Sequence, residues 1–236
     1  QSNGVAFGVN LSVTGDSNIT YANTTALPEG TTLSSNGYFY GTVTVGSSTT
    51  YSFDVKATDA ENQDASRTFS LTVTVESFTL WTWGYGTYGQ LGLGNVSYYS
   101  SPKQVGALTN WLKPIGMLYS SYALKTDGTL WSWGWNPWGQ LGLGNTTTYS
   151  SPKQVGALTN WLTISSAYGY ALAIKTDGTL WMWGGNTSGA STAQGTLGDN
   201  TTVSKSSPVQ TICGGNNWQQ VSVGATATFA LKTDGS

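Results

Sequence analysis

Histidine is missing altogether from the 236 residues, and cysteine occurs once, at Cys213. The first absence removes the usual general base, the usual triad member and the commonest metal ligand. The second leaves no intrachain disulfide and no thiolate metal cage. Charge is scarce as well: 8% of residues are charged, against about 25% in an average globular protein. Net charge is -2 and no Lys/Arg block occurs. Gripping a phosphate backbone needs clustered positive charge, so nucleic acid is not an expected partner. No apolar run approaches the roughly 20 residues that cross a bilayer, and no membrane insertion is expected. These absences point away from an enzyme and away from a bound cofactor.

In place of charge the chain carries Gly, Ser, Thr and Asn, with 11 Trp and 13 Tyr. Disordered chains are poor in aromatic and β-branched residues. This composition instead fits packed sheets with polar, uncharged surfaces.

Self-comparison is the most informative step. Thr79-Leu-Trp-Thr-Trp-Gly84 recurs at Thr129 to Gly134 and at Thr179 to Gly184, a period of 50 residues. Ser100 to Leu112 reappears unchanged at Ser150 to Leu162, and a degenerate copy begins at Ser206. Lys125-Thr-Asp-Gly128 recurs at Lys175 and Lys232; the last interval is 57 because residues are added around Ser188 to Gln194. A period of this length with aromatic and glycine signatures predicts propeller blades of about four strands. Thr126-Asp-Gly between two alternating runs is a hairpin signal. Gly139 to Asn145 is too glycine-rich for a strand interior and reads as a tight loop. Ser-Pro-Lys-Gln-Val reads as an edge-type strand, where proline is tolerated.

The motifs Lys-Thr-Asp-Gly-Thr-Leu-Trp-x-Trp-Gly, Gly-Gln-Leu-Gly-Leu-Gly-Asn and Ser-Ser-Pro-Lys-Gln-Val resemble repeats of the regulator-of-chromosome-condensation family, in their bacterial and phage form. The resemblance covers residues 78–236 in units of about 79–128, 129–178 and 179–235. It implies a propeller, typically of seven blades. About three units are present, and the first lacks the strand that precedes its counterparts. Phe229 to Gly235 is a strand of that missing type. The expectation is that the remaining blades lie beyond Ser236, with closure between copies or an open arc as the alternatives.

Residues 1–77 carry no such repeat. Val5 to Val13, Tyr38 to Val45, Thr50 to Ala57 and Arg67 to Val75 alternate in the manner of short strands. Leu27-Pro-Glu-Gly30 supplies a turn, and the pattern predicts a sandwich. Leu-Pro-x-Gly, Tyr-x-Phe-x-Val-x-Ala-x-Asp and Arg-Thr-Phe-x-Leu-x-Val resemble immunoglobulin/cadherin-like modules of bacterial and phage surface proteins. Such modules act as spacers or weak adhesive units. The short passage from Glu76 to Phe78 predicts a stiff joint. The fold class is therefore all-β: an immunoglobulin-like sandwich followed by about three propeller blades, incomplete or part of a larger propeller.

Asp127, Asp177 and Asp234 each lie in a Thr-Asp-Gly turn and are read as turn formers. Asp54, Asp59, Glu61 and Asp64 cluster in the sandwich. The resemblance makes Asp59, Glu61 and Asp64 weak Ca²⁺ candidates, although a solvated loop accounts for them and no metal site is assigned. The pairs Trp81/Trp83, Trp131/Trp133 and Trp181/Trp183 recur as core packing between blades would require. The loops after each Trp-Gly vary: Tyr85 and Tyr88, then Trp135 and Trp138, then Gly185 and Asn186. Aromatics at variable loop positions fit a binding face. Tyr85, Tyr88, Trp135 and Trp138 are the candidate binding residues, against the plainer reading that they cover an adjacent blade. The seven Asn-x-Ser/Thr sequons are compositional.

The module pairing resembles phage virion surface proteins. The leading expectation is a non-catalytic structural or binding component of a virion surface or tail appendage, as fibre or decoration protein. Its partners would be other virion or surface proteins in multiple copies and a host glycan or protein, at the virion surface or outside the cell. The alternatives are a secreted bacterial adhesin and a propeller that inhibits or regulates an enzyme.

Overall fold

The computed structural model describes residues 5–12, 18–43, 48–74, 77–187, 195–224 and 227–233. Among them there is no helix. The chain divides into two compact units, Ser2–Glu76 and Ser77–Ser236.

The N-terminal unit holds β1 (Val5–Asn10), β2 (Thr20–Asn23), β3 (Thr31–Leu33), β4 (Tyr38–Val43), β5 (Thr49–Thr58) and β6 (Asp64–Val73). They form two three-stranded sheets, ordered β1-β4-β3 and β2-β5-β6. Alternation decides which faces meet. Phe53, Val55 and Ala57 point inward from β5, and Phe39 and Val43 from β4, as the two-residue period of a strand requires. A phenylalanine ladder crosses the core: Phe7 to Phe39 at 5.1 Å, Phe39 to Phe53 at 4.9 Å, Phe53 to Phe69 at 6.0 Å between ring centroids. This is the expected immunoglobulin-like sandwich. Two short strands, β2 and β3, were not legible in the alternation. Strand β6 begins at Asp64, inside the run read as a loop. Thr31 N donates to Pro28 O at 3.1 Å, closing the turn that ends in Gly30 at φ +81°.

The C-terminal unit contains β7 (Trp81–Gly84), β8 (Tyr99–Gln104), β9 (Trp111–Gly116), β10 (Ser120–Lys125), β11 (Leu130–Gly134) and β12 (Tyr149–Gln154). There follow β13 (Trp161–Ala167), β14 (Tyr170–Lys175), β15 (Leu180–Gly184), β16 (Lys205–Gln210), β17 (Trp218–Val223) and β18 (Thr228–Lys232). Strands β9 to β12 and β13 to β16 make two complete four-stranded antiparallel blades. Strands β7–β8 and β17–β18 are each half a blade. The blade frame is thus shifted by two strands from the sequence repeat, which starts at a blade's third strand. Prolines 102, 152 and 208 fall on β8, β12 and β16, each at the edge of its sheet. Proline there removes no ladder bond.

The core lies between blades. Leu80, Val105, Trp111, Ala123 and Trp133 join the first half-blade to the first complete one. Tyr122, Leu124, Leu130, Trp161, Ala171 and Trp183 join the two complete blades. Within each blade the Thr-Asp-Gly turn closes a relay. Asp127 Oδ1 accepts from Thr129 N at 2.9 Å and Thr129 Oγ1 at 2.6 Å, and Thr129 Oγ1 accepts from Trp131 Nε1 at 2.8 Å. Asp177, Thr179 and Trp181 repeat it. The Thr179 hydroxyl, then its backbone N–H, hold the Asp177 carboxyl below its ordinary value. Both aspartates are therefore turn residues, as read from the sequence; Asp234 lies outside the described residues.

Candidate functional site

The loops that follow Gly84 and Gly134 emerge beside the hairpin turns that join β9 to β10 and β13 to β14. Trp135 N donates to Tyr119 O at 2.9 Å, which fixes the loop after β11 against the β9–β10 turn. Asn136, fully buried, braces that loop from within. Its Nδ2 donates to Asn145 O and Thr147 O at 3.0 Å each, and its Oδ1 accepts from Leu141 N at 2.9 Å. Trp138 N donates to Gln140 Oε1 at 3.0 Å, and Tyr88 N to Gln90 Oε1 at 2.9 Å. The aromatic side chains are therefore carried on rigid loops.

Five rings converge there. Trp135 lies at the centre, with centroids 4.7 Å from Trp138, 5.6 Å from Tyr88, 5.6 Å from Tyr119 and 6.1 Å from Tyr168. Tyr88 and Tyr119 are 4.7 Å apart, and Trp138 and Tyr168 are 5.6 Å apart. Most contacts are tilted or edge-on, the geometry aromatic quadrupoles favour. Each of the five side chains is half-buried. The rings offer apolar faces with hydroxyl and indole N–H groups and no formal charge. Such a surface suits stacking and hydrogen bonding rather than proton transfer.

Of the four residues expected to form a binding face, the structure gathers Tyr88, Trp135 and Trp138. Tyr85 stands apart, 51% exposed and paired with Tyr98 at 5.0 Å. Tyr119 and Tyr168 were missed. The third unit departs from its sequence reading. Asn186 does not replace an aromatic but repeats Asn136: it is fully buried and bonds Thr201 O at 2.8 Å and Asp199 Oδ1 at 3.2 Å, while its Oδ1 accepts from Leu197 N at 3.2 Å.

The calcium candidates do not assemble. Asp59 Oδ1 accepts from Glu61 N at 3.1 Å and Gln63 N at 2.7 Å, so Asp59 organises its own turn. Asp64 accepts from Thr58 Oγ1 at 2.7 Å and Lys56 Nζ at 3.0 Å. These bonds, the Thr58 hydroxyl first, hold its carboxyl below the ordinary value. Asp54 bonds Thr68 across the sheet. Among the described residues no three His, Cys, Asp or Glu side chains gather in a way that could hold a metal.

The sequence matches the Regulator of chromosome condensation (RCC1) repeat at residues 79–115 and 127–174, and the "Putative Ig domain" at residues 1–74. No curated protein matches it. Among solved structures, human WBSCR16 is similar at 23% identity and a TM-score of 0.53, over 70% of this chain and 43% of that one. Yeast RCC1 (Prp20), solved with Kap60 bound, is similar at 19% identity and a TM-score of 0.52, over 77% of this chain and 40% of that one. Prp20p from Saccharomyces cerevisiae, described with its binding to Gsp1p and histones, is similar at 20% identity and a TM-score of 0.50, over 77% and 42%. At these identities the likeness is one of fold. The chain spans about two-fifths of the length of these proteins.

Proposed function

We propose that this chain, an Ig-like module joined to RCC1 repeats, is a non-catalytic structural and binding component of a bacteriophage virion surface or tail appendage. Its propeller unit presents the Trp135-centred ring cluster to a glycan or protein of the host. The observation that carries the binding role is the cluster itself: five half-buried rings, drawn from two loops and two hairpin turns, on a rigid frame. Aromatic residues anchor interfaces because they bury large area at little entropic cost. The low charge and the pairing of sandwich with repeats support the appendage setting; that part rests on fold-level analogy.

A second reading is a propeller that regulates a soluble protein. It draws on the solved yeast RCC1 structure, in which Kap60 is bound.

Imaging the native assembly with an antibody to the chain tests the setting. Repeated copies on a virion or filament are expected; a free protein bound to a soluble enzyme would replace this reading with the second. Binding to a panel of bacterial surface glycans and envelope proteins tests the site. Trp135→Ala and Trp138→Ala are each expected to weaken binding at least about tenfold, whereas Tyr85→Ala leaves it unchanged. Undiminished affinity in both tryptophan variants would remove the cluster from the binding role.

A further inference from the structure

The ring cluster lies at one end of the propeller unit, and the sequence around it is free of formal charge. The loops at 85–98 and 135–148 and the turns at 117–119 and 168–169 contain no Asp, Glu, Lys or Arg. The next loop of that series, after β15, holds Asp199, and Lys205 opens β16 behind it. These two pair with each other at 3.5 Å. Most of the remaining charges lie toward the opposite end of the blades. Lys125 and Asp127 belong to the β10–β11 turn, Lys175 and Asp177 to the β14–β15 turn, and Lys113 stands across from Leu124. The chain's single arginine, Arg67, is in the N-terminal unit.

This distribution limits what the rings can hold. A carboxylated, sulfated or phosphorylated polymer would lie against them with no cation to meet it, since Lys205 is engaged by Asp199. Anion recognition draws on lysine and above all on arginine, whose fork matches carboxylate and phosphate. A protein partner is also a poor match. Interface hot spots combine aromatics with arginine, and steering between proteins runs through complementary charge. Area points the same way. A wholly enclosed aromatic side chain buries about 150–250 Å². The five rings are already half-buried, largely against one another. Together they leave a ligand no more than about 400 Å² of ring surface, against roughly 800 Å² per partner in a stable protein interface.

A small uncharged ligand meets both limits. The π faces are electronegative, and the C–H face of a pyranose is apolar and weakly positive, so ring and sugar stack with no charge on either. Sugar hydroxyls both donate and accept. The tyrosine hydroxyls and the exposed Thr87, Thr146 and Thr148 of the same loops offer both roles, and the indoles of Trp135 and Trp138 offer donors. The loop of Trp135 is braced from within by Asn136 and Gln140, so little ordering cost falls on binding.

We propose that the ligand of the Trp135-centred cluster is an uncharged glycan built of pyranose units, held by stacking and hydroxyl hydrogen bonds rather than by ion pairing. The proposal rests on the binding role given to the cluster above and narrows it.

The test measures binding of the 236-residue chain to neutral polysaccharides: dextran, mannan, galactan and O-antigen chains without acidic sugars. Carboxymethyl dextran and acidic O-antigens are the charged comparison, and bacterial envelope proteins the protein one. At least one neutral polymer is expected to bind, with an affinity that stays level from about 0.05 to 0.5 M salt. Trp135→Ala and Trp138→Ala should each weaken it at least about tenfold, and Lys205→Met should leave it unchanged. The salt series and the polymer comparison need wild type alone, so they decide the matter even where an alanine variant fails to fold. Preference for the acidic polymers, or affinity that falls steeply with salt, overturns the proposal. So does failure of every neutral polymer. If an envelope protein then binds through Trp135 and Trp138, the binding role stands and the glycan is wrong; if nothing binds through them, both fall.

Discussion

Trp183 is fully buried and Trp133 is 3% exposed, while Trp83, at the same place in the same motif, is 60% exposed. Local sequence does not explain the difference, because Leu-Trp-x-Trp-Gly surrounds all three. Their neighbours do. Trp183 has β14 beside it, the Gln140 carbonyl of the preceding blade beneath its indole, and Trp161 at 5.9 Å. Trp83 has β8 alone. In a repeat array each unit is stabilised mainly by the interface with the next, so one motif is core in a complete blade and surface in half of one. The largest effect should come from the buried member. Trp183→Ala is expected to cost about 3–5 kcal/mol. Trp83→Ala should change stability by no more than about 0.5 kcal/mol. Urea unfolding of both variants checks this, and equal losses would break the comparison.

Glycine sharpens it at intermediate scale. Gly142 and Gly198 have φ of +70° and +60° and end the same loop motif. Either one replaced by alanine takes on the left-handed backbone penalty of about 1–2 kcal/mol. Only at Gly142 does the new Cβ also meet an indole, Trp183 Nε1 at 2.8 Å, and displacing it adds about 1–3 kcal/mol. Gly142→Ala should therefore be the more destabilising of the two. Thermal unfolding compares them directly, and equal shifts would mean that Trp183 yields without cost.

How much of this was legible follows from what repeats can and cannot encode. The 50-residue period gave blades, prolines 102, 152 and 208 gave the edge strands, and Thr-Asp-Gly gave the hairpins. Each is a local rule with one physical cause. The ring cluster was only partly legible because it combines unlike repeat positions. Tyr119 aligns with Gly169 and Tyr168 with Leu118, so aligning the units conceals that two hairpin turns bring both rings to Trp135. Tyr85 shares a repeat position with Trp135 but packs on Tyr98 of its own loop. Asn186 was misread because a buried amide that braces a loop looks, in sequence, like any polar loop residue. Its identity with Asn136 at the same repeat position was the signal available. In the sandwich, β2 and β3 are four and three residues long, too short for alternation to declare them.

The smallest effect concerns the lysines. Lys175 is 5% exposed, with Nζ 3.6 Å from the centroid of Trp181 and 5.1 Å from that of Trp161. Lys232, in the half-blade, has Trp218 at 4.9 Å and is half-buried. Burial pushes the Lys175 ammonium below its ordinary value of 10.5, and Asp177 opposes the shift in part. Between the folded-state value and 10.5 the unfolded chain therefore binds more protons, and stability from this group rises with pH. It is lost again as pH falls through the folded value. The stability of wild type relative to Lys175→Met should accordingly grow between neutral pH and 10.5. Burial also raises the Tyr122 and Tyr170 hydroxyls, which act in the opposite sense at the alkaline end, but both proteins share them. Urea midpoints of the pair across this range give the difference. A flat Lys175 difference would mean that two indole faces fully offset the desolvation of the charge, as a desolvated cation–π contact of about 2 kcal/mol could do.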